Sequence, residues 1–320
     1  MGMLVEGVWQ SDADSKEIAT GGQFVRKPSS FRSWITADGA AGPSGTGGFE
    51  AEPNRYHLYV SYACPWAHRA LIYRKILKLE DSISVSIVHP VNIVEGWEFT
   101  EFPGATVDAV NGAKYLHEIY TRADPLYTGK VLVPVLWDKK TGTIVNNESS
   151  EIIRMFGLNS VQLGGIECDL YPQSASGEID AVNEIVYMAN NGVYRTGFAK
   201  TQDAYEEAAA RLFGALEILE GRLGESTYLV GDAITESDWR LFTTAIRFDP
   251  VYYVHFKCSL KRYVDFPYLN KHLQTLREYP GVDSTIRLDH IRHHYFRSQL
   301  RVNPYGIVPV GPIMDWEKEA

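Results

Sequence analysis

Two short segments in which apolar and more polar residues alternate flank a segment of helical spacing. The alternation covers residues 56–60 and 83–87, and a period of two is typical of a β-strand. Between them, after Cys64 and Pro65, apolar residues recur every third or fourth position. A strand, a helix and a strand in this order normally form a right-handed parallel crossover. The pattern therefore predicts a βαβ unit.

A second group of elements follows an irregular stretch. Residues 90–128 contain glycines, prolines and several aromatic residues without a clear period. The apolar run 131–137 then predicts a buried strand, residues 138–142 a turn, and residues 143–145 a short strand. A helix is predicted to begin at residues 147–150. The predicted order is thus β-α-β, a long insertion, and β-β-α.

The rest of the chain is predicted to be helical. Residues 161–177 are rich in Gly, Pro and Ser and predict a linker. Beyond them, apolar residues form stripes at helical spacing over 179–193 and 205–223. Thr235 and Asp238 have the spacing of a capping box and predict a helix start. We therefore predict an extension over 1–55, an α/β domain over 56–160, the linker, and an all-helical domain with a C-terminal tail over 178–320.

A phosphate-binding loop is one interpretation of the glycine-rich residues 39–48 near the end of the extension. It fails because no strand precedes these residues and no Gly-Lys-Ser/Thr follows them. Pro43 and Pro53 lie in the same stretch and act as breakers of regular structure. An ordinary loop is the better interpretation.

Composition and charge exclude several classes of protein. The 320 residues carry 31 basic and 40 acidic side chains, a formal net charge of -9, which argues against non-specific binding to nucleic acid or an anionic membrane. The longest apolar runs are strand-sized, so no membrane span is predicted, and the N-terminus lacks the pattern of a secretory signal. The three widely spaced cysteines do not suit a disulfide framework and favour a reducing compartment. We expect a cytoplasmic protein.

Cys64 stands between the first predicted strand and the first predicted helix. Pro65 suits the first helical turn, where its missing N–H has no cost. Free backbone N–H groups and the positive end of the helix dipole favour a thiolate at such a position. The thiolate is the species that attacks sulfur. The sequence therefore predicts a nucleophilic Cys64, with a buried structural cysteine as the alternative.

Ala67 occupies the position of the second cysteine in a Cys-x-x-Cys motif. Cys64 therefore cannot close the short internal disulfide of that motif. Once oxidised, it must wait for a second thiol from solution, so the sequence predicts monothiol chemistry. Cys168 and Cys258 have no partner spacing, and we interpret both as structural.

Val133 and Pro134 lie within the predicted strand 131–137, where a proline removes a hydrogen bond of the ladder. In thioredoxin-like folds, a Val-Pro pair with a cis bond lies beside the helix-start cysteine. The residue before the proline then offers its backbone N–H and C=O to a peptide ligand, as an added strand would. An ordinary proline in an edge strand is the alternative.

Glu148 and Ser149 lie where the next helix is predicted to begin. Ser149 and the N–H groups near it can bind a carboxylate. Glu148 can bind an ammonium group, and together the two residues suit the zwitterionic end of a γ-glutamyl group. Simple helix capping is the alternative, because Ser and Glu are favoured at such positions.

These residues and the sequence around them resemble those of the glutathionyl-hydroquinone reductases, the Xi class of glutathione transferases. The resemblance covers most of the chain, including the extension and the helical half. The stretches that carry it are GQFVR from Gly22, RYHLYVSYACPWAHRALI from Arg55, VSIVHP from Val85, EGWEF from Glu95, ADPLYTGKVLVPVLWD from Ala123, TIVNNESSEIIRMF from Thr143, NNGVYRTGFA from Asn190 and RFDPVYYVHFKC from Arg247. The CPWA motif by itself is moderately specific, and its combination with the other stretches is highly specific.

The resemblance implies a fold of the α/β plus all-α type, with a thioredoxin-like N-terminal domain and a C-terminal helical domain of the glutathione-transferase type. It implies reduction of glutathionyl-hydroquinones to hydroquinones, with glutathione as co-substrate, oxidised glutathione as product and no metal. The partners it implies are glutathione, a glutathionylated aromatic substrate and a second copy of the chain in a homodimer.

By motif match, the resemblance implies that Cys64 is the nucleophile and passes through a mixed disulfide with glutathione. It implies that Trp97 covers the bound glutathione and that Val133 makes the backbone contacts. Glu148 and Ser149 complete the implied glutathione site.

The resemblance extends to three further residues. Lys130 is expected to contact a glutathione carboxylate, but family members often carry arginine there, and lysine cannot make the bidentate contact of arginine. Tyr194 in the stretch GVYRTGFA and Tyr295 in HHYFRS are expected to face the hydroquinone. There they can exchange protons with it or hydrogen-bond to it. Buried core tyrosines are the alternative for both.

Other functions share parts of this pattern. A conjugating glutathione transferase usually activates the glutathione thiol with a Tyr or Ser hydroxyl, and Cys64 disfavours that reaction. A dehydroascorbate or glutaredoxin-like reductase would use the same Cys64 chemistry, and a non-catalytic ligand-binding protein would tolerate loss of the thiol. His290, His293 and His294 have the spacing of zinc ligands, but no cysteine or carboxylate motif joins them, so no metal site is predicted.

Overall fold

The computed structural model describes residues 2–11, 20–25, 28–314 and 317, which form two compact units. Of the described residues, the first unit contains those within 1–17, 27–169 and 284–290, and the second contains those within 18–26, 170–283 and 291–320. The four predicted segments stay a prediction; the units divide the chain differently, since the extension contributes to both. Arg26, the last residue of the motif GQFVR, lies outside the described residues.

The N-terminus of the first unit forms an antiparallel hairpin of the short strands β1 (Met3–Val5) and β2 (Val8–Gln10). These residues were predicted only as part of the extension, so the hairpin was not predicted from the sequence. A later part of the extension runs beside the central sheet, where the Ser33 N–H donates to Val145 and the Asn147 N–H donates to Phe31. The extension therefore contributes to the packing of the first unit.

A four-stranded mixed sheet forms the centre of the first unit. Its strands are β3 (Tyr56–Val60), β4 (Ser84–Ile87), β5 (Val135–Asp138) and β6 (Thr143–Asn146), in the order β4-β3-β5-β6. Strand β3 pairs in parallel with β4 and antiparallel with β5, and β5 pairs antiparallel with β6. The helices of this unit are α1 (Pro65–Ile76), α2 (Leu116–Ala123) and α3 (Ser149–Leu158). The predicted βαβ unit and the later β-β-α order are confirmed.

The predicted start of the strand 131–137 was wrong, because strand pairing begins only at Val135. The peptide bond between Val133 and Pro134 is cis, and both residues lie outside the strand. Pro134 has no N–H to donate to a neighbouring strand, so the ladder starts at the next residue. Residues 131–134 instead form a loop that leads into the sheet.

The second unit is built from helices. They are α4 (Ser176–Gly197), α5 (Gln202–Glu225), α6 (Glu236–Arg247), α7 (Tyr253–His255), α8 (Pro267–Arg277) and, from Ile291 onward, α9 (Leu288–Ser298). A π-helical turn, Phe248–Tyr252, joins α6 to α7. The apolar stripes predicted on α4 and α5 are buried except for Tyr205, which is half-buried. The predicted capping box of Thr235 and Asp238 is present at the start of α6.

Candidate active site

Cys64 is the residue that begins helix α1. Its backbone is extended (φ -80°, ψ 121°), Pro65 is the first helical residue, and the Cys64 carbonyl accepts the first helical hydrogen bond from His68 at 2.9 Å. The side chain is a thiol that forms no disulfide within the described residues, and it is partly exposed. A thiol at a helix N-terminus lies in the field of aligned backbone N–H groups, which stabilises its ionised form. The predicted position of Cys64 at the start of a helix is confirmed, and its role as the nucleophile stays a prediction.

The loop with the cis peptide bond lies beside this thiol. The Cys64 Sγ lies 3.6 Å from the Val133 carbonyl oxygen, and Val133 is the residue on the N-terminal side of the cis bond to Pro134. The structure thus brings together two residues that are 69 positions apart in the chain. The predicted neighbourhood of the cysteine and the Val-Pro pair is confirmed, whereas the edge-strand alternative for Pro134 is not observed.

Tyr120 holds the loop of residues 131–134 through hydrogen bonds to its backbone, and it was not among the residues predicted from the sequence. Its hydroxyl donates to the Leu132 carbonyl at 2.8 Å and accepts from the Leu132 N–H at 3.2 Å. The same hydroxyl accepts from the Asn147 side chain at 3.1 Å, one residue before Glu148. Burial raises the pKa of Tyr120 above its usual value, so the hydroxyl stays protonated and can donate. Tyr120 therefore links the loop of Val133 to the start of helix α3.

Glu148 and Ser149 begin helix α3. The Glu148 carboxylate accepts hydrogen bonds from the Ser150 N–H at 3.3 Å and from the Ser29 hydroxyl at 3.0 Å. Glu148 therefore caps the helix, as the alternative interpretation expected, and Ser29 of the extension helps to hold it. Ser149 is buried, and its hydroxyl lies 3.4 Å from the guanidinium of Arg69.

Arg69 is a second residue that the sequence interpretation did not single out. It lies on α1, is only 3% exposed, and its guanidinium lies 4.6 Å from the centre of the Trp66 ring. With its contact to Ser149, it places a buried positive charge between the first turn of α1 and the first turn of α3. Such a charge, added to the N-terminus of α3, favours a carboxylate ligand. Its position in the motif CPWAHR, five residues after Cys64, was the signal available in the sequence.

Trp97 and Lys130 lie in two other loops of the first unit. Trp97 is 5% exposed, and its carbonyl accepts a hydrogen bond from the N–H of Leu116 at 2.9 Å. Lys130 is half-buried, and its carbonyl accepts from the Tyr127 hydroxyl at 3.2 Å. Each loop is thus held by a hydrogen bond to one of its backbone carbonyls. The glutathione contacts predicted for Trp97 and Lys130 stay predictions.

In the second unit, Tyr194 of α4 and Tyr295 of α9 are directly hydrogen-bonded, with their hydroxyl oxygens 2.6 Å apart. Tyr252, which the sequence interpretation missed although it lies in the stretch RFDPVYYVHFKC, adds a third hydroxyl 3.0 Å from that of Tyr295. Burial raises the pKa of Tyr295 well above its usual value, and the positive charge of the buried Arg247 opposes part of that shift. The three hydroxyls form a row, which we call the tyrosine row, along which a proton can pass.

The remaining cysteines and histidines have different surroundings. Cys258 is fully buried, and burial raises the pKa of its thiol and also that of the half-buried Cys168 thiol. Both shifts disfavour the thiolate, so Cys64 has the most favourable setting for a nucleophile among the three. The Nε2–H of His290 donates a hydrogen bond to the carbonyl of Pro103 at 2.8 Å. Among the described residues, no group of three or more His, Cys, Asp or Glu side chains has the arrangement needed to hold a metal ion.

No helix within the described part of the chain is both long enough and apolar enough to span a membrane. The candidate site residues divide between the two units. Those of the first unit are Cys64, Trp97, Lys130, Val133, Glu148 and Ser149, and those of the second are Tyr194 and Tyr295.

Comparison with known proteins places this geometry in a family. The glutathione S-transferase N-terminal domain family matches residues 63–157, and the glutathione S-transferase C-terminal domain family matches residues 202–275. Glutathionyl-hydroquinone reductase YqjG of Escherichia coli strain K12 is 52% identical to this chain over 99% of this chain and 97% of its own length. These matches confirm the predicted fold class, a thioredoxin-like N-terminal domain with a glutathione-transferase-type helical domain.

Two solved structures agree with that assignment over nearly the whole chain. The glutathione-bound structure of YqjG, a glutathione transferase homologue from E. coli K-12, has a TM-score of 0.90 at 50% identity and covers 99% of this chain and 97% of its own. A Xi-class glutathione transferase from Natrialba magadii has a TM-score of 0.91 at 43% identity and covers 99% of this chain and 95% of its own. The chain therefore belongs to the glutathione transferases and, within them, to the Xi-class glutathionyl-hydroquinone reductases.

Proposed function

We propose that this chain reduces glutathionyl-hydroquinones to hydroquinones, with glutathione as the reductant and glutathione disulfide as the second product. The observation that carries the proposal is the setting of Cys64, a partly exposed thiol at the start of α1 whose Sγ lies 3.6 Å from the Val133 carbonyl oxygen. A relative that matches nearly the whole chain bears the name glutathionyl-hydroquinone reductase, which supports the same reaction.

In the first step, the Cys64 thiolate attacks the glutathione sulfur of the substrate. A bond forms between the two sulfurs, and the bond from the glutathione sulfur to the ring carbon breaks. The ring carbon keeps the electron pair and takes up a proton, so the ring is reduced by two electrons while the two sulfurs become a disulfide. A prior shift of the hydroquinone to its keto tautomer lowers the barrier, because the ring then regains aromaticity when the bond between its carbon and the glutathione sulfur breaks.

In the second step, a glutathione thiolate attacks the glutathione sulfur of the Cys64 mixed disulfide. Glutathione disulfide leaves, and the Cys64 thiolate is restored. Ala67 provides no internal thiol at the position that a dithiol enzyme would use, and Cys258 is fully buried. The resolving thiol is therefore a second glutathione from solution.

We assign the binding of glutathione to residues around Cys64. The backbone of Val133, whose carbonyl oxygen lies 3.6 Å from the Cys64 Sγ, pairs with the tripeptide. Ser149, the N-terminus of α3 and the buried charge of Arg69 bind the γ-glutamyl carboxylate. Glu148, which lies next to them, binds the γ-glutamyl ammonium group while it continues to cap α3.

Two further side chains complete this assignment. Trp97 covers the tripeptide, and Lys130 contacts its other carboxylate with a single ammonium group. Lys130 is half-buried, a position at which a lysine can pack its stem against the protein.

We assign the tyrosine row to the hydroquinone. The ring carbon takes up a proton, and the phenolic oxygens exchange theirs. These transfers need a donor and an acceptor whose acid strengths match the reaction. Tyr194 is half-buried, whereas Tyr295 behind it is 1% exposed. Tyr194 is therefore the member that bonds to the substrate, and Tyr295 and Tyr252 supply or remove its proton.

Mass spectrometry tests the proposed function directly. The protein is exposed to a glutathionyl-hydroquinone, and we expect the mass of one glutathionyl group on the peptide of Cys64, removable by free glutathione. Cys64→Ser must lose both the adduct and the turnover. Cys168→Ser is the matched control, because it removes a half-buried thiol with a raised pKa and should leave both unchanged. Full turnover by Cys64→Ser would refute the assignment.

We further propose that the protein is a homodimer that works in the cytoplasm. A mixed-disulfide cycle that ends with free glutathione needs a reducing compartment, and the three free cysteines suit one. Light scattering coupled to size-exclusion chromatography tests the dimer, and a mass of one chain at working concentration contradicts it.

A further inference from the structure

The N-terminal hairpin β1–β2 has a turn of two residues, Glu6 and Gly7. Both have positive φ angles, 49° and 77°, as the tightest hairpin turns require. The register pairs Val5 with Val8, and Leu4 with Trp9. The register therefore fixes the position of the Trp9 indole ring on β2 relative to the backbone edge of β1.

The first contact of the hairpin is with the loop that leads to Val133. Leu4 and Gly129 exchange two backbone hydrogen bonds, each 3.0 Å long, as in an antiparallel pair. The turn adds a hydrogen bond from the Gly7 N–H to the Tyr127 carbonyl at 3.1 Å and one from the Glu6 N–H to the Thr128 hydroxyl at 2.8 Å. The segment 127–129, which directly precedes Lys130, is thus bonded along its length to the hairpin.

The second contact is with the loop that carries Trp97. The Trp9 indole N–H donates to the Val94 carbonyl at 3.0 Å. Gly96 has a φ of 75°, and a Cβ at this position would lie 2.9 Å from a carbon of the Trp9 ring, so the loop passes against the indole. Trp9 also stacks on His117, with ring centres 4.8 Å apart and planes inclined by 17°.

The stack of Trp9 on His117 also supports the part of that loop that follows Gly96. His117 stacks in turn on Tyr115, with ring centres 5.2 Å apart. Residues Glu98 and Tyr115 form a bridge, and the Leu116 N–H donates to Trp97. The residues on both sides of Trp97 are thus fixed, one side by Trp9 and the other by the segment on which Trp9 stacks.

We propose that the hairpin is a clamp for the glutathione site, with Trp9 as the positioning residue for Trp97. This inference rests on the proposed function, in which Trp97, Lys130 and Val133 bind the tripeptide. The two loops are about 30 residues apart in the chain, and the hairpin is bonded to both. It therefore supplies a common support that sets their spacing before glutathione binds.

A positioning role makes a specific prediction about affinity. Calorimetric titration of glutathione is carried out on full-length protein with Cys64→Ser, so that no disulfide forms. Trp9→Ala in that protein loses the hydrogen bond and the stack, and the Kd should rise about tenfold, the equivalent of one hydrogen bond to a well-held group. Trp9→Phe keeps an aromatic ring but no N–H donor, and its Kd should lie between those of the parent and Trp9→Ala.

The matched control is Trp34→Phe. Trp34 is another tryptophan of the N-terminal extension and donates its indole N–H to Ser44 at 3.0 Å, and Ser44 belongs to neither of the two loops. Its loss should leave the Kd unchanged. With Cys64 restored, Trp9→Ala should raise the KM for glutathione and leave kcat at saturating glutathione within about twofold, because positioning acts on binding and not on the sulfur chemistry.

Three results decide the inference. A graded loss of affinity over Trp9→Phe and Trp9→Ala, with Trp34→Phe unchanged, supports the clamp. A Kd for Trp9→Ala equal to that of the parent, while Trp97→Ala weakens binding, overturns the clamp and leaves the proposed function in place. Absence of glutathione binding by the parent protein overturns both.

Discussion

The hydroxyl oxygens of Tyr194 and Tyr295 lie 2.6 Å apart, and Tyr295 is the fully buried member of the pair. Tyr252 approaches Tyr295 from a second direction at 3.0 Å. Because burial raises the pKa of Tyr295, its hydroxyl keeps its proton at neutral pH and connects the other two. Loss of the central hydroxyl must therefore disconnect the row, whereas loss of an outer one shortens it.

Tyr295→Phe should lower the turnover of a glutathionyl-hydroquinone by about 100-fold, the usual size of a lost general acid–base contribution. Tyr252→Phe should cost much less, because the short bond between Tyr194 and Tyr295 remains. Steady-state rates with saturating glutathione measure both effects. Formation of the Cys64 adduct from glutathione disulfide, which needs no proton on carbon, should be unchanged in both variants.

Tyr263→Phe is the control for the removal of a buried tyrosine hydroxyl. Tyr263 lies in the same unit and is 1% exposed, and its hydroxyl has no hydrogen-bond partner in the described part of the chain. Turnover by this variant should equal that of the parent. An equal loss in Tyr263→Phe and Tyr295→Phe would mean that the tyrosine row acts only through packing.

Ala67→Cys should convert the monothiol site to a dithiol site. Ala67 is fully buried on α1, three residues after Cys64, at the place where a Cys-x-x-Cys motif has its second thiol. A thiol there can attack the Cys64 mixed disulfide from within the protein, at a high effective concentration. After exposure to glutathione disulfide, the glutathionyl adduct should be replaced by an internal disulfide that mass spectrometry resolves.

Ala67→Ser is the matched control, since it adds a group of similar size without a thiol. It should keep the glutathionyl adduct at Cys64. A stable adduct in Ala67→Cys would show that the α1 geometry keeps position 67 out of line with the sulfur of Cys64, and the monothiol chemistry would then not depend on Ala67.

The periodic parts of this chain were predictable from the sequence, and the position of Cys64 followed from them. The βαβ pattern around Cys64 is local, and Pro65 marks the helix start within one residue. The stripes of α4 and α5 were equally clear, because one face of each helix is buried. The capping box at Thr235 has a fixed spacing that needs no information about tertiary structure.

The contacts that position the site were not predictable in this way. Leu4 pairs with Gly129, which lies far away along the chain. No periodic pattern predicts a pairing over such a distance, so the N-terminal hairpin was missed. Tyr120 and Tyr252 look like any core tyrosine until their hydroxyl partners are known. The hydrophobicity of residues 131–137 predicts one strand, although pairing begins only at Val135, after Pro134.

His57 should make the protein less stable in mild acid. Both of its ring nitrogens bond to hydroxyls of β4, to Ser84 at 2.7 Å and to Ser86 at 3.0 Å, and burial lowers the pKa of His57 from 6.5 to about 4. Asp108 opposes that shift. The unfolded chain therefore takes up a proton first as the pH falls, so stability is lost between about pH 6.5 and pH 4. The loss from one such group is about 3 kcal/mol.

His57→Gln should flatten this part of the pH dependence, as measured by urea unfolding at a series of pH values. The dependence should not vanish, because burial also lowers the pKa of His255 to about 4. His293→Gln is the control on an α9 residue that is half-buried. A curve for His57→Gln that is parallel to that of the parent from pH 7 to pH 4 would contradict the role of His57.

Arg55 and Asp138 form the ion pair whose loss should cost the most stability. The Asp138 carboxylate is fully buried and accepts two hydrogen bonds from the Arg55 guanidinium, at 2.9 Å and 2.7 Å. Asp138→Asn leaves the buried Arg55 guanidinium without its fully buried counter-charge and with only the more exposed Glu52 beside it, and unfolding in urea should show a loss of about 3 kcal/mol. Glu52 pairs with the same arginine at 2.8 Å but is 34% exposed, so Glu52→Gln should cost less than about 1 kcal/mol. Equal losses in the two variants would mean that burial does not decide the strength of this pair.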